Sequence, residues 1–226
     1  MTSSLRKSAG RALHFVKTIP LRLRTAERVF TEIHDRNVWR GTESISGPGS
    51  DRAATAELRR ALPALLAELG VRTLLDAPCG DFHWMGETPL DLERYVGIDI
   101  VAAVVAANQE RYGAPSRTFL RLDLLSDPLP RADLILCRDA LVHFSARDVE
   151  RALAAFRRSG ATWLLATTFP GLAENRDIVT GEWRPIRLDL APFHLPPPLR
   201  LLNEGYRGED GRYADKSLGL WRLADL

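Results

Sequence analysis

Apolar positions along the chain come in two rhythms. Leu58, Leu62, Leu65, Leu66 and Leu69 recur at helical spacing ahead of Gly70, which predicts an amphipathic helix over residues 53–69 with Pro63 as a candidate kink. From residue 73 short apolar runs alternate with helical stretches: TLLDA (73–77), RYVGID (94–99), a helix over 101–112, TFLRLD (118–123), ADLILC (132–137), a helix from Ala146 to Ser159, and TWLLATT (162–168). The helix at 146 carries its own start signal, Ser145 with Asp148 three residues on, before Val149, Leu153 and Phe156. Strands alternating with helices at this spacing imply a parallel sheet covered on both faces. After Phe169 the helical rhythm stops, and the Pro-rich stretch APFHLPPPL leads into LRLLNE (199–204) and SLGLWRL (217–223), two strands expected to close the sheet as a hairpin. No internal repeat or linker divides residues 53–226, which read as one domain behind an N-terminal segment of residues 1–52.

Composition narrows the class. A chain of 226 residues, 45% hydrophobic and 27% charged, can bury a full core without disulfides or metal. Its net charge of +2 argues against a global field for nucleic acid, and no basic stripe carries interleaved aromatics. Two cysteines, Cys79 and Cys137, fit a reducing cytoplasm, where they are expected unoxidised. No apolar run approaches the roughly 20 residues of a membrane span. Residues 1–30 hold seven basic side chains, from Arg6 to Arg28, against Glu27 alone, with Leu5, Leu13, Val16, Ile19 and Leu23 interspersed. Such a segment either lies on an anionic membrane surface or a partner protein, or is a frayed helix with solvated arginines.

The predicted strands share one feature. They end in Asp76, in Asp99, in Asp123 and, for the fourth, in Arg138 and Asp139. In a parallel sheet these ends lie on one edge, where ligands bind near a switch point. Asp99 falls 23 residues after Asp76, close to the spacing of an acid that accepts hydrogen bonds from ribose hydroxyls. Asp123 is placed to meet an adenine amino group, and a turn at Gly80 lets the backbone approach a ligand closely. Each acid alone is equally readable as a cap of the turn that follows it.

The series LLDAPCGD, YVGIDI and RLDLLSDPLPRADLILCRDALVHF resembles the ordered motifs of class I S-adenosylmethionine-dependent methyltransferases, over residues 53 to 226. That resemblance implies an α/β, Rossmann-like fold: a seven-stranded, mostly parallel sheet with helices on both faces and a C-terminal antiparallel hairpin. It implies S-adenosylmethionine as cofactor. Asp76, Pro78, Gly80 and Asp81 would form the loop beside its methionine part, Asp99 and Ile100 the ribose site, Asp123 and Leu124 the adenine site, and Arg138 with Asp139 the loop beside the methyl donor. Pro78 and Phe82 depart from the glycines common in the first loop. The stretches NVWRGTESISGPGSD, TTFPGLAENRDI, EWRPIRLDLAPF and DKSLGLW resemble a narrower bacterial subfamily, which supplies no substrate.

Residues 37–51, rich in Gly, Ser and Pro, read either as a connector or as a lid with glycine hinges in which Trp39, Ser46 and Ser50 face the site. Asp139 and His143 would share a helical face at the methyl end, His143 as a base toward a hydroxyl or only as a partner of Asp139. His83 and Trp84 read as pocket wall. Arg184 and Arg187 offer forks for a carboxylate or phosphate, or are surface arginines. No two of the five histidines stand at metal-ligand spacing with an acid, so no metal is expected. The expected function is a cytoplasmic methyltransferase acting on a small-molecule or glycan-type acceptor at oxygen. The alternatives are an NAD-dependent oxidoreductase, which would need a glycine-rich fingerprint that DAPCGDFHW lacks, or a non-catalytic cofactor-binding partner protein.

Overall fold

The structure is a computed structural model that describes residues 24–206, 208 and 211–226. Most of the basic N-terminal stretch, residues 1–23, lies outside the described residues. Seven strands form one sheet in the order β3-β2-β1-β4-β5-β7-β6. They are β1 (Thr73–Asp76), β2 (Arg94–Asp99), β3 (Arg117–Arg121), β4 (Leu134–Cys137), β5 (Trp163–Thr168), β6 (Arg200–Asn203) and β7 (Ser217–Arg222). The first five run parallel, and β7 enters antiparallel between β5 and β6. The Rossmann-like class and the closing hairpin are therefore as the sequence implied.

Alternation along the buried strands divides the core in two. Leu74, Leu134, Leu136, Leu165, Leu218 and Leu220 pack on one face with Leu58, Leu62, Leu65 and Leu66 of α2 (Ala56–Glu68). Leu75, Ile98, Ile135, Leu164 and Trp221 pack on the other with Val149, Leu153 and Phe156 of α4 (Ala146–Arg158). The helix α3 (Ala102–Tyr112) adds Val105 to the first face, and α1 (Ala26–Asp35) lays Ala26 and Phe30 against the second.

Helix ends follow local chemistry. Ser145 caps α4 by accepting from the Asp148 amide at 3.2 Å. Gly70, at φ +66°, stops α2 with the paired bonds Val71 N–H to Leu66 O and Gly70 N–H to Ala67 O. Pro63 stays inside α2, which runs unbroken through it because its leucines are held on the sheet.

Two expectations need correction. Strand β3 stops at Arg121, because Asp123 turns the chain, its carbonyl accepting from Ser126 and Asp127. The segment after β4 is not an α-helix. Asp139 sits at φ +53° and only Leu141–His143 form a short 3-10 turn, so Asp139 and His143 share no helical face. The cysteines are free, as expected, and both are buried, Cys79 in one core and Cys137 in the other.

Phe156 is fully buried against the sheet. Phe156→Ala is expected to lower the unfolding free energy by about 3–5 kcal/mol, read from urea denaturation.

Candidate active site

The strand ends open onto a cavity of about 400 Å³, within the usual range of about 300–1,000 Å³ for cofactor and small-molecule sites. Of the residues singled out in the sequence, Asp76, Pro78, Gly80, Asp81, Trp84, Asp99, Ile100, Asp123, Leu124, Arg138, Asp139 and His143 line it, as do Trp39, Ser46 and Ser50. Arg184 and Arg187 do not.

The loop after β1 turns sharply. Gly80 lies at φ +53°, which favours glycine, and a Cβ there would meet the Ser46 hydroxyl at 2.4 Å and displace it. Phe82 adopts φ +58° although it is not glycine. Its ring sits 5.0 Å from Tyr95, 5.0 Å from Tyr112 and 5.1 Å from Phe119, and this packing holds the strained backbone.

Each acid on the rim is satisfied differently. Asp76 is buried, accepts one bond from the Tyr95 hydroxyl at 2.6 Å, and burial pushes its pKa up to about 7 against the pull of Tyr95 and Arg138. Asp99 accepts from the backbone amides of Val101 (2.9 Å) and Gly80 (3.2 Å), and burial raises its pKa too. Asp123 accepts from the Leu125 amide at 2.8 Å. Around Asp139 burial pushes upward, but Lys216 at 2.6 Å and Arg138 at 3.4 Å outweigh it and hold the carboxyl to about 2. Lys216 also reaches Glu204 at 3.1 Å, and Arg138 reaches it at 2.7 Å, so two cations and two anions form one closed network.

Asp81 has a role the sequence did not suggest. Its carboxylate accepts from the hydroxyls of Ser44 (2.8 Å) and Ser46 (3.2 Å) and from the Ile45 amide (2.9 Å), while its own amide donates to Ser46 Oγ at 3.1 Å. Arg138 makes a second tie, donating to the Gly49 carbonyl at 2.7 Å. Segment 37–51 is thereby held against the cavity, which Trp39 and residues 45–50 line, with the Trp39 ring tilted 5.0 Å from the His143 ring.

His143 Nδ1 lies 3.0 Å from the Glu182 carbonyl, which can only accept, so Nδ1 carries the proton and Nε2 keeps its lone pair. Burial lowers the pKa of the ring, against the pull of that carbonyl and Asp139. Arg184 is fully buried and binds the carbonyls of Leu141 (2.5 Å) and Phe144 (2.9 Å), on either side of His143. Arg187 forks onto Asp189 at 2.9 and 3.0 Å. The expected anion-reading arginines thus hold the protein's own backbone and carboxylate.

Sequence reasoning missed Phe30, His34, Phe169, Trp183, Tyr206, Tyr213 and Lys216, all of which line the cavity. Most stand in irregular segments with no periodicity to mark them. Lys216 did carry a signal: of 31 basic residues in this arginine-rich chain only three are lysine, and the other two are Lys7 and Lys17. Among the described residues no cluster of three or more His, Cys, Asp or Glu is arranged to hold a metal.

Residues 75–160 match the family described as "Methyltransferase domain". Over that stretch the chain carries a methyltransferase domain. S-adenosylmethionine is the cofactor that the sequence motifs imply for such a domain. The methyltransferase fold recurs in the bacterial CtHen1 methyltransferase domain, at 14% identity and TM-score 0.55 over 74% of this chain and 97% of that one. It recurs in the magnesium protoporphyrin IX methyltransferase of Synechocystis PCC 6803 with bound SAM, at 15% identity and TM-score 0.50 over 68% of this chain and 81% of that one. A further CtHen1 structure aligns over 50% of this chain and 65% of its own length at TM-score 0.44, and nothing rests on it. No curated protein matches the methyltransferase in sequence.

The residues present fit such a cofactor. Two buried carboxylates with raised pKa suit a ligand that brings positive charge and hydroxyl donors, and the tight Gly80 turn places them on one cavity wall.

The raised pKa of Asp76 has a thermodynamic sign. Folded protein keeps a proton that an unfolded aspartate, at 3.8, gives up. The associated stability is full below about pH 4 and is lost as pH rises through about 7. Asp76→Asn is expected to flatten the fall in melting temperature between pH 5 and 8, and an unchanged slope would assign that fall elsewhere.

Proposed function

We propose that this chain transfers a methyl group from S-adenosylmethionine to an oxygen of a small-molecule or glycan-type acceptor beneath a lid of residues 37–51. The observation that carries the choice of oxygen is His143, kept neutral by burial and fixed with Nε2 as its basic atom. A hydroxyl is a poor nucleophile until its proton has somewhere to go.

S-adenosylmethionine supplies a methyl group already activated on a sulfonium. The protein contributes position, dryness and a proton acceptor. In this reading Asp99 accepts from the ribose hydroxyls beside Ile100, Asp123 and Leu124 hold the adenine, and Asp76, Pro78 and Gly80 flank the methionine part. Asp81 acts chiefly on the lid. When the acceptor oxygen takes the methyl group that the sulfonium would supply, its hydroxyl proton would pass to His143 Nε2, with S-adenosylhomocysteine as the co-product. Asp139, ionised and bound to Lys216, is poorly suited to take that proton and instead orients the acceptor hydroxyl.

The catalytic unit in this reading is residues 53–226, with residues 37–51 as its lid and the basic residues 1–30 proposed to contact a membrane surface or protein partner in the cytoplasm. No helix among the described residues is long and apolar enough to cross a membrane.

Calorimetry with S-adenosylhomocysteine tests the donor site. Asp99→Ala is expected to weaken binding more than tenfold with the circular dichroism unchanged, since a charge-assisted bond has no substitute there. In the same complex, amide exchange over residues 37–51 should slow; unchanged exchange would remove the lid from this mechanism. For the base, His143→Gln is expected to lower kcat by about 10²–10⁴-fold. Because the neutral ring is the active form and its pKa is lowered, the acid limb of the wild-type profile should lie below pH 6.5. A limb at higher pH, or a fully active variant, would exclude His143.

A further inference from the structure

The acceptor end of the cavity differs in character from the cofactor end, and the difference points to a class of acceptor. Resting on the reading above, we propose that the acceptor is an uncharged ring, a phenol-like aromatic or a sugar, that lays its apolar face on the aromatic wall and turns a hydroxyl toward His143.

Aromatic side chains make this end. Phe169, Trp183 and Tyr213 pack edge to face in a triangle, with centroids 6.4, 5.7 and 5.0 Å apart, and all three line the cavity. Trp39 lies beside His143 from the opposite segment, and Tyr206 stands near Lys216. Such surfaces reward burial of a flat apolar face and offer little to a chain of solvated polar groups. Trp183, 38% exposed, carries the wall out toward solvent, so a larger acceptor can present only its terminal ring.

The charges at this end cancel. Lys216 is held by Asp139 and Glu204 with its ammonium 5.4 Å from the Tyr206 ring, and Arg138 is held by Glu204 and the Gly49 carbonyl. Both cations are buried and already paired, so a phosphate or carboxylate entering here would have to break the network to be neutralised. A cationic acceptor meets the converse obstacle, because Asp139 is already matched by Lys216. The arginines that might have read an anion, Arg184 and Arg187, are engaged elsewhere. Among the described residues lining the cavity, the remaining acids, Asp76, Asp81, Asp99 and Asp123, belong to the β1, β2 and β3 ends and their loops. The end rich in carboxyl groups is thus the donor end, and the charges of the acceptor end are paired.

Matched pairs of ring ligands test this on the full chain saturated with S-adenosylhomocysteine, whose own binding is verified first by calorimetry. Phenol is compared with phenyl phosphate, and methyl glucoside with glucose 6-phosphate, by saturation-transfer NMR and tryptophan fluorescence. The neutral member of at least one pair is expected to bind at least tenfold tighter than its phosphorylated partner, and the pair that responds tells an aromatic from a sugar acceptor. Trp183→Ala is expected to lose that ligand while keeping its affinity for S-adenosylhomocysteine. Equal or tighter binding of the phosphorylated members overturns the proposal, as does failure of both neutral rings to bind at millimolar concentration. Failure to bind S-adenosylhomocysteine would instead overturn the proposed function.

Discussion

A parallel sheet buried on both faces has only its edges and its strand ends left for polar chemistry, and this constraint shapes the whole molecule. Because β1 to β4 run the same way, the polar residues that stop them, Asp76, Asp99, Arg138 and Asp139, are brought to one rim, with Asp123 in the turn just beyond β3. Acids gathered in a poorly solvated rim repel one another and resist ionisation unless each finds a partner. The partners found are unequal. Backbone amides and a tyrosine hydroxyl leave Asp76 and Asp99 with raised pKa values, whereas Lys216 and Arg138 drive Asp139 the other way. One cavity thereby has an end rich in carboxyl groups, at β1 to β3, and an aromatic end whose charges are paired.

Segments outside the parallel core line the rest of that cavity. Segment 37–51 is held by a single carboxylate, Asp81, which gathers two serine hydroxyls and one amide, and by Arg138 through the Gly49 carbonyl. The opposite wall comes from residues 169–216, and there Arg184 performs the corresponding task. Buried among carbonyls of the turn that carries His143, it couples the position of that imidazole to the strand hairpin's approach segment. Loss of either anchor would leave the sheet intact and disturb the site, since neither side chain belongs to the strand ladders.

Much of this was legible in the chain itself. The elements, the switch to a closing hairpin and the row of strand-end acids all follow from periodicities and punctuation within about 15 residues, such as the Ser145 cap and the Gly70 stop. These are local effects: a backbone that must satisfy its own amides and a side-chain rhythm of two or 3.6 residues act before any distant contact exists. Arg184 and Arg187 were read as ligand forks because an arginine looks the same in sequence whether its donors meet a substrate or a carbonyl. The proposed face shared by Asp139 and His143 failed for a related reason, since the chain after β4 is pulled into a 3-10 turn by bonds to Arg184 and Gly181 rather than by its own helical propensity.

What the sequence by itself determined, then, is the order and type of the elements and the placing of acids along one edge. Only the tertiary structure decided which charges neutralise one another. Asp139 meets Lys216 across 77 positions and Arg138 meets Glu204 across 66, pairings that no spacing announces because they arise only when β7 threads between β5 and β6. The same insertion gathers Phe169, Trp183 and Tyr213 from irregular segments into one wall. Desolvation and Coulomb pairing depend on distance in space and on what has been excluded from between the charges, and neither quantity exists until the chain has closed.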